Sequence, residues 1–168
     1  MKTNKTYVEK GTGLVRKRFE EELHTKNDEK ARNAVKNTPW FLDWLGIEGL
    51  EDWDVGEHEF EIDLKATDKD IYVEVAIREQ WLSGDRPPWP YLNTLQRKLK
   101  DFKKHPDNSF MVHIREDAKR CAIAPASIIL EEGKIIERLL RNSGGIEVLV
   151  EVPMSRWFFM DLKDPEDY

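Results

Sequence analysis

Two short segments of strict alternation constrain this chain most. Phe60-Glu61-Ile62-Asp63-Leu64 carries an apolar residue at every second position, and Ile71-Tyr72-Val73-Glu74-Val75-Ala76-Ile77 repeats the pattern over seven residues. A period of two is the mark of a β-strand with one buried face. The polar stretch Ala66-Thr67-Asp68-Lys69-Asp70 between them reads as a turn, so the pair is expected to form a hairpin. With a loop over 67–70, Asp63 falls directly opposite Glu74, both on the face turned away from the apolar residues. Opposed Cβ atoms in a sheet lie about 4.5–5.5 Å apart, and like charges there are destabilising. At roughly 5 Å and an effective dielectric of about 20, the repulsion is on the order of 3 kcal/mol. Such a pair calls for a compensating cation. A divalent metal is one candidate; Lys65 and Arg78, expected on the same face, are the other.

The 168 residues suit one domain, read here as a flexible arm over 1–13 followed by a single domain over 14–168. The net charge of −6 does not mark a general nucleic-acid binder. Its distribution says more. Residues 48–63 hold eight acids and no Lys or Arg, whereas 97–104 hold five basic residues against Asp101, so a local basic surface can coexist with the acidic total. Cys121 is the single cysteine, which excludes an intramolecular disulfide and argues against a thiolate metal site. No apolar run approaches the ~18 residues of a membrane span, so no membrane partner is expected and a cytoplasmic or nuclear setting is the natural one. His24, His58, His105 and His113 show no zinc-ligand spacing. No Gly-rich phosphate loop or nucleophile elbow is present.

Along the chain, Val15, Phe19 and Leu23 predict a helix over 14–24, with Ala31, Ala34 and Val35 continuing helical spacing. Thr38-Pro39 opens a short helix that Gly46 closes, and its aromatic residues are expected in the core. A short strand is expected around 50–55. Three prolines make 83–90 a loop. Leu92, Leu95, Leu99 and Phe102 predict a helix over 91–104, with Lys98 on the flank of the apolar stripe and Arg97 nearly opposite it. Strands follow at 110–114 and 121–124, a turn or helix from Pro125 through Leu130, a helix at 132–141 and a strand at 146–152. The fold class is α/β, a central mixed β-sheet flanked by helices.

This order, helix, strand with Asp63, turn, strand with Glu74, helix, strand, resembles the core of the PD-(D/E)XK nuclease superfamily, the restriction-endonuclease-like fold, over about 14–130. The resemblance implies Mg²⁺ or Mn²⁺ held by Asp63 and Glu74, and hydrolysis of DNA phosphodiesters, with RNA and a homodimer as further possibilities. Two positions depart from the pattern, and the first is that no proline precedes Asp63. Where the family carries Glu-x-Lys, this chain has Glu74-Val75-Ala76. The resemblance makes Lys98 the replacement lysine and Glu20 the acid contributed by the first helix. Arg97, Lys100, Lys103 and Lys104 become candidates for holding the nucleic-acid backbone. The competing expectations are a catalytically inactive module of the same fold that binds nucleic acid or protein, and an acidic interaction domain using its six tryptophans as anchors.

Overall fold

The computed structural model describes residues 6–8, 15–17, 21–58, 61–139 and 145–163. Strands β1 (Thr6–Val8) and β2 (Val15–Lys17) pair antiparallel and are followed by helices α1 (Glu21–Lys36) and α2 (Pro39–Leu45). Next come β3 (Leu50–Asp52), β4 (Leu64–Ala66), β5 (Tyr72–Arg78), β6 (Tyr91–Leu95) and helix α3 (Leu99–Lys104). The remainder is β7 (Ser109–Arg115), β8 (Arg120–Pro125), α4 (Ala126–Glu132), β9 (Lys134–Leu139), β10 (Ile146–Pro153) and β11 (Phe158–Asp161). No helix among the described residues is long and apolar enough to cross a membrane.

The fold is α/β with a mixed central sheet of order β11-β8-β7-β5-β4-β3, in which β5 and β7 are parallel and every other pair is antiparallel. A second sheet, β6-β10-β9, lies apart from it in hydrogen bonding. The central sheet is covered on both faces. On one, Ala31, Ala34 and Val35 of α1 and Phe41 and Leu45 of α2 meet Leu64, Val73, Val75, Val112 and Ile114. On the other, Tyr72, Met111, Ala122 and Ala124 meet Leu92, Phe102, Ile129, Val150, Val152 and Trp157. The face of β5 that bears Glu74 is therefore not a solvated polar face, as the alternation alone suggests. The second sheet, α3 and α4 bury it.

Where the signal is local, expectation and structure agree. α2 starts at Pro39 after an extended Thr38, and Gly46 takes the left-handed φ of 70° that ends it, its N–H donating to the Asp43 carbonyl. Of the aromatics there only Phe41 is core; Trp40 and Trp44 stay largely exposed, with Trp44 stacked on Phe158. The strands expected at 110–114, 121–124 and 146–152 are β7, β8 and β10, and Pro125 does open a helix.

Three expected helices are corrected. The segment 91–104 is strand β6, a 3₁₀ turn at Gln96–Lys98 and only then α3, because β10 offers β6 a partner. The segment 132–141 is mostly strand β9, paired antiparallel with β10. In the first helix region, residues 15–17 are β2, and the helix runs from Glu21 to Lys36 instead.

Gly133, just after α4, packs against Val150 of the second sheet. A Cβ there would sit 2.3 Å from both the Ile129 carbonyl oxygen and Val150 Cγ1. Gly133→Ala is expected to destabilise the protein by about 1–3 kcal/mol, the cost of overpacking. A urea melt with the midpoint unchanged would contradict this packing of α4 on β10.

Candidate functional site

β4 and β5 pair with Leu64 opposite Val73, and one more step in this register sets Asp63 opposite Glu74. The expected juxtaposition is present. Asp63 itself lies at a bend just before β4, and Ile62 and Leu64 on either side of it enter opposite cores. Both acids are buried, Glu74 to 3 % and Asp63 to 7 % exposure.

The cations that meet these acids were only half anticipated. Lys98 Nζ stands 2.7 Å from Glu74 Oε1. It is carried there by the 3₁₀ turn after β6, so the flank position on a long helix is not what places it. Asp63 is met by Arg32 of α1, whose Nη2 donates to Asp63 Oδ1 at 3.0 Å and whose Nη1 donates to the Asp63 carbonyl at 3.1 Å. Arg32 also pairs with Asp28, Asp52 and Asp54, while Lys36 pairs with Asp52. Four carboxylates thus share two cations. Asp63 Oδ2 accepts the Val75 backbone N–H at 3.0 Å, which ties the acid to β5. Lys65 and Arg78 do not reach either acid. Lys65 donates to the Ala66 and Lys69 carbonyls and lies beside the Trp53 and Tyr72 rings, and Arg78 lies over Trp89.

Arg32 was missed by the sequence reading. Its one signal is its place directly after Ala31, on the border of the Ala31/Ala34/Val35 stripe. Glu20 lies outside the described residues, as do the side chains of Glu21 and Glu22. Arg97, Lys100, Lys103 and Lys104 are exposed on the 3₁₀ turn and α3, and Lys104 lies 3.5 Å from Glu61.

Burial, and then the neighbouring Asp63, hold the Glu74 carboxyl well above the usual carboxylate range, with Lys98 acting in the opposite sense. Burial likewise raises Asp63, although its hydrogen bonds and nearby cations oppose the rise. Burial disfavours the charged Lys98 ammonium, but Glu74 and Asp63 outweigh it and raise its pKa. Of the carboxyl oxygens, Glu74 Oε2 is buried with no hydrogen-bond partner. Among the described residues no group of three or more His, Cys, Asp or Glu is placed to hold a metal ion. Two hard carboxylates with one unsatisfied oxygen nevertheless fit Mg²⁺, which takes one or two protein carboxylates and keeps several waters.

A raised carboxyl pKa binds a proton in the folded chain that the unfolded chain has lost above about pH 4.3. Stability therefore falls as pH rises through the window between that value and the raised pKa of Glu74. Glu74→Gln removes the Glu74 share of this dependence. In urea melts with chelator present, the variant and parent should agree near pH 4, and the variant should be the more stable at pH 8. A variant less stable at pH 8 would mean that the Lys98 pair outweighs the burial of charge.

No family model matches the sequence, and none of the curated proteins is similar to it.

Proposed function

We propose that this protein is a metal-dependent nuclease of the restriction-endonuclease-like kind, hydrolysing DNA phosphodiester bonds at Asp63, Glu74 and Lys98. The observation that carries the reading is the approach of Lys98 Nζ to 2.7 Å from Glu74, at a site whose usual lysine position is occupied by Ala76. The antiparallel run β3-β4-β5, the α3-containing crossover and the parallel strand β7 support the same fold family. So does the helix α1 packed beneath β5.

In this reading Asp63 and Glu74 hold Mg²⁺, which when bound supplies a Lewis acid for the phosphate and a water of lowered pKa. Glu74 Oε2, buried without a hydrogen-bond partner, would be the oxygen free to serve as a ligand. Arg32 and the Val75 N–H keep Asp63 in one orientation, so little ordering cost remains when the ion enters. Lys98 then brings its ammonium against the scissile phosphate, where it orients the attacking water or stabilises the charge that builds on the phosphoryl oxygens. A water oxygen forms the new P–O bond, the bond to the leaving oxygen breaks, and that oxygen takes up a proton. Arg97, Lys100, Lys103 and Lys104 stand exposed nearby in sequence as backbone contacts.

Asp63→Asn and Glu74→Gln should each abolish Mg²⁺- or Mn²⁺-dependent cleavage of plasmid and oligonucleotide DNA. Lys98→Ala should slow single-turnover cleavage by about 10²–10³-fold with little change in DNA affinity, since its contact strengthens in the transition state. Lys104→Ala should instead weaken binding, and less so at high salt. If Lys98→Ala and Lys104→Ala behave alike in both assays, Lys98 is an ordinary surface lysine. With Ala76 in the motif, the inactive binding module then becomes the better reading.

A further inference from the structure

A second polar cavity lies at the far end of β5. It is half open to solvent, has a volume of about 230 Å³ and is lined by Arg78, Asn93, Leu95, Arg138, Glu147 and Leu149. That is far more than the ~10–15 Å³ that admits one water. Arg78 is four residues beyond Glu74 on the same strand, so about 13 Å along it at ~3.3 Å per residue. The other five residues belong to the second sheet, from β6, β9 and β10.

The charges in this cavity do not balance. Neither Arg78 nor Arg138 has a carboxylate at salt-bridge distance among the described residues, although Glu147 stands opposite Arg138 in the β9–β10 ladder. Burial and the nearby Arg138 charge both press the Arg78 guanidinium toward its neutral form, and Glu147 offsets this only in part. The guanidinium is nevertheless held in place, its carbon 5.2 Å from the centre of the Trp89 ring. Asn93 adds a buried Oδ1 that has no hydrogen-bond partner. A partly buried Arg78 without an acid and a buried amide oxygen without a donor are each costly, and each is relieved by a ligand that matches it.

We propose that Arg78, Arg138 and Asn93 form a pocket for the phosphate of a nucleotide unit, separate from the Asp63/Glu74 pair. Guanidinium forks match phosphate oxygens geometrically and are the favoured side chains for them. Two acceptors, Asn93 Oδ1 and the Glu147 carboxylate, stand in the same wall and suit the hydroxyl or amino donors of a sugar or base. Leu95 and Leu149 supply the apolar remainder. A bare phosphate uses only the arginines, whereas a phosphate ester also brings sugar or base donors to Asn93 Oδ1 and Glu147, so an ester is the better fit. The ester belongs either to a free nucleotide or to a nucleic-acid strand. The pocket does not depend on the cleavage reading.

The full-length protein is titrated at low salt with inorganic phosphate, AMP and a fluorescent single-stranded oligonucleotide, without divalent metal. The parent should bind AMP or the oligonucleotide more tightly than inorganic phosphate. Arg138→Ala, an exposed position that leaves the core untouched, should weaken that binding by about tenfold, in the range of a charge-assisted hydrogen bond. Arg78→Gln should weaken it at least as much, and Glu74→Gln should leave AMP binding unchanged. Oligonucleotide binding that exceeds AMP binding, with a salt slope lowered by about 0.7 in Arg138→Ala, identifies a strand as the source. AMP binding without oligonucleotide binding identifies the free nucleotide. Equal affinity of parent and Arg138→Ala for every probe, or no binding of any probe by the parent, overturns the proposal. A parent that cleaves no DNA yet loses AMP affinity on Arg138→Ala leaves the pocket standing and the nuclease reading refuted.

Discussion

The Asp63 carboxylate is the point at which separate parts of this chain are held to one another. One oxygen takes Arg32 from α1 and the other takes the Val75 N–H from β5, while the backbone carbonyl of the same residue accepts a second Arg32 hydrogen bond. Charge-assisted hydrogen bonds of this kind are roughly twice as strong as neutral ones. They matter here because Asp63 sits where the chain bends and Ile62 and Leu64 leave for opposite cores. The edge of β4 is thereby pinned to β5, and Glu74 is left with Asp63 on one side and Lys98 on the other.

That arrangement makes the acid pair expensive in the absence of a ligand. The central sheet is buried on both faces, so Glu74 is withdrawn from bulk solvent and has one oxygen without a hydrogen-bond partner among the protein groups. Burial and the Asp63 charge both favour the neutral form of a carboxyl in that position, and Lys98 opposes them. Functional sites are where a fold tolerates such costs. The same reasoning applies to Arg78, held over Trp89 with no acid to pair with. Both groups occupy the face of β5 that the second sheet covers, so that sheet shapes both candidate sites.

Much of the central sheet was readable. β5, β7 and β8 are apolar runs of strand length bounded by turns, and their hydrophobic faces are local properties of the chain. α2 was readable because Pro39 and Gly46 act through their own backbone dihedrals. The hairpin register was readable because a two-residue repeat admits few pairings that keep Leu64 and Val73 inside. β6 and β9 were misread because Leu92, Leu95 and Leu99 satisfy a helical period as well as a short strand does. The choice was made by β10, more than fifty residues away from β6, whose backbone N–H and C=O groups pair with it. For Lys98 the sequence reading found the residue but not its support. The 3₁₀ turn that presents it exists only because β6 ends at Leu95.

The sequence by itself determined the pairing of Asp63 with Glu74, since side-chain alternation and turn length are set by bonded geometry within about a dozen residues. It also determined the α/β class, through the alternation of strand-like and helix-like periods. Tertiary structure alone decided that the acid-bearing face is buried, that Arg32 compensates Asp63 in place of Lys65 or Arg78, and that Arg78 faces a cavity instead. Those outcomes depend on which distant surfaces cover β5. Burial and Coulomb terms are sums over neighbours in space, and a linear pattern carries no information about neighbours that the chain brings in from α1, β6 and β10.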